Sequence, residues 1–359
     1  MVKMQKSALW RKFFPFWGSF FAVSLLLIAA QYLSPVRAYA AAPMSDHSMT
    51  AQQLAAYGAA QCLQPPSGVN LLNLSDAQLI QYGLPTHAVI DRNPTQWKHE
   101  LTYSRHRSCG SKPTGSGITH LLHPLKKNVT NTLYATNWSG YVANSGRGTY
   151  TASMVTFNVP TLSASASGAH VSIWAGMGGD GADPYGLVQA GIDSSLNSDG
   201  SQSNVSWWEF VSNTPGEPSY PEESLPLSRG LYNGNQIWVY VNSNPNQNGS
   251  DEFYIQNNST GDYNSYYLYG GSYFSDSASG ECVVERPSIN GGFSPLANFG
   301  TEALSQCQLY VNGNSTMYPI GNYGGQAMVM VNNSGSYALD AVGSLNNGQD
   351  FSVTYQNAN

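Results

Sequence analysis

Gln236-Ile237-Trp238-Val239-Tyr240-Val241-Asn242 places Ile237, Val239 and Val241 on one face of an extended strand and Trp238 and Tyr240 on the other. The same period of two recurs outward from this stretch. Val155, Phe157 and Val159 alternate with polar residues, Val171 and Ile173 do the same, and Phe351 to Tyr355 alternates again. Ala327 to Val331 is a short apolar run. Asn-Gly, Gly-Asn and Asp-Gly turn signals separate these runs. Short strands at regular spacing over more than half of the chain predict an all-β domain, a large sandwich or barrel.

Composition agrees. Only 10% of the 359 residues are charged, while Gly (36) and Tyr (23) are abundant. The chain is too apolar and aromatic for disorder, and too punctuated by Gly and Pro for a helical bundle. An antiparallel β protein with many turns fits both facts.

The charges divide unevenly. Residues 131–359 hold three basic side chains, Arg147, Arg229 and Arg286, against 17 acidic ones, a formal net charge of −14. Residues 41–130 hold seven Lys and Arg, four Asp and Glu, and six of the seven histidines. A lysine-free, carboxylate-rich domain relaxes its self-repulsion when acid protonates it. The basic, His-rich segment before it is its electrostatic complement, as expected of a propeptide that covers the domain at neutral pH and lets go in acid. The alternative for residues 41–130 is a linker or stalk. An acidic surface argues against nucleic-acid binding.

The N-terminus reads as an export signal. Lys3, Lys6, Arg11 and Lys12 precede an apolar run from Phe13 to Ala30, and Ala38 and Ala40 form an Ala-x-Ala cleavage pattern. An uncleaved anchor is the alternative; the cleavage pattern favours removal and a secreted product with no lasting membrane association. The expected organisation is therefore signal peptide 1–40, propeptide 41–130 and sandwich domain 131–359. In an exported chain an even number of cysteines suggests disulfides. The pairing Cys62–Cys109 with Cys282–Cys307 keeps each bridge inside one region and is the expected one; free buried thiols are the alternative. No CxxC motif or Cys/His cluster looks like a metal site, and no cofactor is implied.

Several common catalytic signatures are missing: GxSxG, HExxH, the P-loop and the Asp-Thr/Ser-Gly pair. The domain's one histidine, His170, needs a hydroxyl or thiol partner to form a triad, and a structural role is the simpler reading. What remains is carboxylates, amides and aromatics. Strand alternation puts Leu187 and Gln189 on one face of Gly186-Leu187-Val188-Gln189-Ala190-Gly191. Trp207 and Glu209 share a face in Ser206-Trp207-Trp208-Glu209-Phe210, and Glu281, Val283 and Glu285 share one in Gly280-Glu281-Cys282-Val283-Val284-Glu285. A carboxylate inside an apolar strand is costly unless it faces a cleft or a partner. Any one of these residues taken alone also fits a solvent-facing position.

Taken together, the segments Asn137-Trp138-Ser139-Gly140-Tyr141, Trp174-Ala175-Gly176, Val188-Gln189-Ala190-Gly191, Trp207-Trp208-Glu209 and Glu281-Cys282-Val283-Val284-Glu285 carry a resemblance. In order and approximate spacing they resemble the glutamic peptidases called eqolisins, of the scytalidoglutamic and aspergilloglutamic type, over about residues 131–359. The resemblance implies an antiparallel β-sandwich of two large sheets, concanavalin-like, and an acid-acting, pepstatin-insensitive endopeptidase with protein and peptide substrates. It places the catalytic glutamine on Gln189, the catalytic glutamate on Glu285 and not Glu281, and cleft residues on Trp138, Trp174 and Glu209. Two positions depart from the family pattern. Gly178 stands where the family commonly has aspartate, with Asp180 nearby, and Cys282 replaces a tryptophan.

The implied chemistry is coherent. Glu285 as carboxylate takes a proton from water and returns it to the leaving nitrogen, while the Gln189 amide donates to the oxyanion. Trp138 and Trp174 wall an extended peptide, or else pack as ordinary core. Two rivals stay open at this point. One is a glycoside hydrolase using Glu209, Glu281 or Glu285; the other is a carbohydrate-binding module without catalysis. A monomer inhibited by its own propeptide is the expected assembly.

Overall fold

The alternating segments fold into stacked sheets, and the pleat decides which side chains meet between them. The computed structural model describes residues 49–110, 117–120, 124–125, 132–163, 166–180, 186–212, 219–244, 250–269, 278–311 and 314–359. The expected export signal and the expected boundary at residue 131 lie outside the described residues.

The first strands are β1 (His106–Arg107), β2 (Ile118–Thr119), β3 (Pro124–Leu125), β4 (Leu133–Ala135), β5 (Trp138–Asn144), β6 (Tyr150–Asn158) and β7 (His170–Gly178). There follow β8 (Leu187–Leu196), β9 (Gln202–Val211), β10 (Tyr220–Ser224), β11 (Gln236–Asn244), β12 (Ser250–Asn257), β13 (Asp262–Tyr269) and β14 (Ser279–Glu285). The last are β15 (Ser288–Ile289), β16 (Gly292–Phe293), β17 (Thr301–Val311), β18 (Tyr318–Pro319), β19 (Gln326–Met330), β20 (Asp340–Val342) and β21 (Phe351–Tyr355).

Among the described residues, a back sheet runs β1-β13-β12-β11-β6-β17-β21-β20, with β18 on β17. A front sheet runs β10-β9-β8-β7-β14-β5-β19-β4-β3, and a small third sheet runs β16-β15-β2. Pairing is antiparallel except for β1 on β13 and β4 on β19. Of the sandwich or barrel expected from the strand pattern, this is the sandwich that the resemblance implied.

The main core lies between the two large sheets. Val155, Phe157, Ile237, Val239, Val241, Phe253 and Ile255 come from the back sheet, and Ile173, Ala175, Val188, Ala190, Ile192, Trp208 and Val284 from the front. Each back-sheet strand turns its intervening residues the other way. Trp238, Tyr240, Tyr254 and Tyr263 thus form the outer back face, fully buried under another layer.

That layer is the leading segment, which carries no strand alternation and folds into short helices. They are α1 (Ala51–Gln61), α2 (Asp76–Gln81), α3 (His87–Ile90) and α4 (Pro94–Tyr103). Their starts are chemically marked. Thr50 with Gln53 and Ser75 with Gln78 form capping boxes, and Asn93 accepts from the Gln96 N–H ahead of a helix that opens on Pro94. Trp97 of α4 is fully buried with ring centroids 4.6 Å from Trp238, 5.0 Å from Tyr240 and 5.5 Å from Tyr254. Edge-on aromatic contacts of this kind contribute about 0.5–1.5 kcal/mol each beyond area burial. The segment from Met49 accordingly clusters with the sandwich as one unit, Met49–Asn359.

Both expected disulfides are present. Cys62–Cys109 lies within the leading segment, and Cys282–Cys307 ties front strand β14 to back strand β17 through the core.

Candidate active site

The outer face of the front sheet gathers the residues singled out by alternation. In β8, Val188, Ala190 and Ile192 point to the core, which turns Gln189 outward; in β9, Trp208 and Phe210 do so, which turns Trp207 and Glu209 outward. In β14, Cys282 and Val284 point inward, leaving Glu281, Val283 and Glu285 on the outer face. Trp138, Trp174, Leu187, Trp207 and Val283 form one apolar cluster on that face. Gln189, Glu209, Glu281 and Glu285 are all fully buried within it.

Close backbone approach depends on glycine at two positions. A Cβ on Gly191 would lie 2.3 Å from the Ile173 carbonyl oxygen and 2.5 Å from Trp174 Cβ. Gly140 has φ +134°, and a Cβ there would lie 2.3 Å from the Cys282 carbonyl oxygen. The glycines of the Gln-x-Gly and Trp-x-Gly segments therefore let Trp174 and β14 sit against their neighbours.

Glu285 is held by three side chains. Asn137 Nδ2 donates to its Oε1 at 3.0 Å, and Trp174 Nε1 donates to its Oε2 at 2.8 Å. His120 Nδ1 lies 2.9 Å from the same Oε2. Burial pushes the Glu285 carboxyl above its usual range, and His120, Trp174 and Asn137 pull against that push. Trp138 meets Trp174 edge-on at 4.7 Å and donates its Nε1–H to the His120 carbonyl at 3.2 Å.

Gln189 stands directly opposite Glu209, and its Nε2 donates to Glu209 Oε2 at 2.5 Å. Burial lifts the Glu209 carboxyl to about 8; Glu285 and Glu222 add to the lift and His120 opposes it. Along β7, Gln189 lies opposite Gly176 and Glu285 opposite Ser172, so the two share a face with a stagger of four positions. Glu281 lies opposite Gly176 as well, in line with Gln189. The three donors are gathered on Glu285.

His170 is half-buried and bonds Asp193 Oδ2 through Nδ1 at 2.8 Å; the Ser172 hydroxyl donates to the same aspartate at 2.8 Å. The three side chains form one hydrogen-bonded group on β7 and β8, with Ser172 opposite both Asp193 and Glu285. At Gly178, φ is +88°, a backbone conformation that disfavours the aspartate common in the family pattern. Asp180 is buried and accepts from Asn144 Nδ2 at 2.7 Å.

Two site residues were not singled out from sequence. Glu222 of β10 is buried with Oε2 3.0 Å from His120 Nε2. In the sequence, His120 is one of six histidines of a basic segment. Tyr220-Pro221-Glu222-Glu223 has no apolar alternation to give Glu222 a face, and nothing local couples residue 120 to residues 222 and 285.

Comparison of the sequence with known families gives one match. Residues 136–355, more than half of the chain, match the Peptidase A4 family. No curated protein sequence matches. Among solved structures, scytalido-glutamic peptidase with a transition state analog inhibitor aligns at 21% identity and TM-score 0.49, covering 62% of this chain and 98% of that one. SCP-B, a member of the eqolisin family in complex with the tripeptide Ala-Ile-His, aligns at 20% identity and TM-score 0.47, covering 62% and 98%. Aspergilloglutamic peptidase from Aspergillus niger aligns at 19% identity and TM-score 0.42, covering 52% and 99%. By the family match, the chain belongs to the Peptidase A4 family, the eqolisins, and is a glutamic-type endopeptidase.

Proposed function

We propose that this peptidase acts in acid through Glu285 and Gln189. Glu285 takes a proton from the attacking water and hands it to the departing amine nitrogen. The Gln189 amide donates to the oxygen that becomes negative in the tetrahedral intermediate. An oxyanion donor of this kind is worth about 3–4 kcal/mol of transition-state stabilisation. An amide donor keeps its N–H at every pH, which suits work in acid. Glu209 fixes the Gln189 side chain, and Trp138 and Trp174 frame the acid from the apolar side.

The observation that carries this reading is the convergence on Glu285. Asn137 and Trp174 fix both of its oxygens on the face shared with Gln189 and Glu209. Two fixed neutral donors, one on each oxygen, suit an ionised carboxylate, the form a general base requires. Export as a zymogen accompanies the proposal, supported by the N-terminal basic-apolar-small pattern and by pairing of all four cysteines. The substrates are unfolded or acid-denatured proteins and extended peptides, and the leading segment is the inhibitory part of the zymogen.

Digestion of denatured protein at about pH 4, with pepstatin present, tests the proposal. Gln189→Ala and Glu285→Gln chains are expected to lose digestion while keeping the wild-type fold by circular dichroism. Full activity in either variant would remove that residue from the mechanism, and cleavage of glycans without cleavage of protein would replace the substrate class.

A further inference from the structure

His120 has no part in the chemistry just proposed, yet it sits on the residue that performs it. Its ring is fully buried and lies flat on Trp207, with centroids 4.0 Å apart and planes 5° from parallel. Its two nitrogens face two carboxylates, Glu285 at 2.9 Å from Nδ1 and Glu222 at 3.0 Å from Nε2. The backbone is seated as well. Ile118 and Thr119 pair antiparallel with Ile289 and Ser288, Asn290 N–H donates to the Gly117 carbonyl at 3.1 Å, and Trp138 holds the His120 carbonyl. Gly117 has φ +71°, and a Cβ there would lie 2.8 Å from Asn290 Oδ1.

This is the way an extended peptide docks: a strand added to a hairpin edge, with a side chain dropped into a pocket. We infer that Gly117–His120 occupies the catalytic cleft as an internal ligand, with the His120 imidazole closing Glu285 to water and the Trp207–Glu222–Glu285 pocket acting as a site for a flat group that donates from two opposite nitrogens. The inference rests on the assignment of Glu285 as the catalytic base. The chain is then inactive until residue 120 leaves, and Glu222 is the second anchor of the block.

The charge pattern supports the seat. Glu285 on β14, Glu222 on β10 and Glu209 on β9 all act on the ring, while His170 on β7 opposes its charge; Asp193 on β8 lies behind Glu222. Burial works against a charged ring, but Glu285 and Glu222 outweigh it and hold the imidazole well above its usual range. Both ring nitrogens then carry hydrogens and donate to the two carboxylates, and the cation lies against the indole face.

The test uses the full-length chain carrying Gln189→Ala, which keeps it uncut and leaves the pocket intact. Histidine-specific NMR titration is expected to show the His120 ring doubly protonated far above the ordinary value of about 6.5, and Glu222→Gln is expected to lower that titration. A His120 that titrates at the ordinary value, indifferent to Glu222→Gln, overturns the inference whatever the enzyme does. In parallel, a His120→Ala chain with native Gln189 is expected to hydrolyse a short fluorogenic peptide in acid without the lag of the wild type, with an initial rate about tenfold higher or more. An unchanged lag also overturns it. If acid-matured wild type hydrolyses nothing while His120 titrates high, the assignment of Glu285 fails and the buried seat stands.

Discussion

At the scale of single residues, Glu281 and Glu285 test the logic of the site. They share a strand, a face and full burial, yet Asn137, Trp174 and His120 all address Glu285. Glu285→Gln is expected to lower kcat by about 10²–10⁴-fold in matured enzyme, while Glu281→Gln stays within about tenfold; steady-state kinetics on one peptide decides. Glu209 gives a second contrast. With its carboxyl lifted to about 8, it holds Gln189 in the neutral form throughout the acid range. Glu209→Gln therefore keeps most activity, and Glu209→Ala frees the amide and costs about tenfold or more in kcat with little change in KM. Gln189, Glu209 and Glu285 were legible because each interrupts an apolar alternation, and because the ordered segments resemble a family. Glu222 and His120 were not, because His120 lies 102 residues from Glu222 and 165 from Glu285 in the chain and neither sits in a patterned strand.

The strands and helices add constraints that no single side chain reveals. The alternation in β11 correctly assigned Ile237, Val239 and Val241 to one layer and Trp238 and Tyr240 to another. It could not say what covers the second layer, since that layer is built from helices of low amphipathicity in the preceding segment. Their starts were marked all the same by Thr50 with Gln53, Ser75 with Gln78 and Asn93-Pro94. Trp97→Ala removes the ring that plugs α4 into the aromatic face, a loss of about 3–5 kcal/mol. Hydrogen exchange is expected to speed up across residues 71–101 and to stay slow in β14; equal loss in both would show that the helices and sandwich unfold together. In the front sheet, Gly191→Ala drives a methyl group into Trp174. Its expected result is a folded sandwich with kcat reduced about tenfold or more, since Trp174 carries a hydrogen bond to Glu285.

For the whole molecule, the decisive quantity is where its acids are. Burial lifts the carboxyls of Glu209, Asp251 and Glu302 to about 8 and those of Glu252 and Asp340 to about 7. A carboxyl with a raised folded-state pKa binds its proton more tightly when folded. Below the unfolded value, near 4, both states are protonated and nothing is lost. As pH rises from there towards the folded values, the unfolded chain ionises first and stability falls. The expected outcome is a Tm highest near pH 4 and lower by about 10 °C or more at neutral pH, measured by calorimetry. Asp251→Asn, which removes one such proton, flattens that slope; an unaltered slope would falsify the attribution to Asp251. The net charge of −14 in residues 131–359 pointed in the same direction from composition alone, but only burial shows which carboxylates carry the effect.

The aromatic seat of Trp97 holds the leading segment to the sandwich without a covalent bond. Cutting the backbone between the leading segment and the sandwich severs a covalent thread and leaves the opposite flank clasped, with the Cys62–Cys109 bridge holding much of the detached piece together. A nick and a departure are then separate events with separate clocks. Freshly nicked enzyme eluting from a sizing column is expected to bring its former N-terminal portion along as a non-covalent companion, whose eventual loss bares a sticky patch of tryptophan and tyrosine on the far side from catalysis.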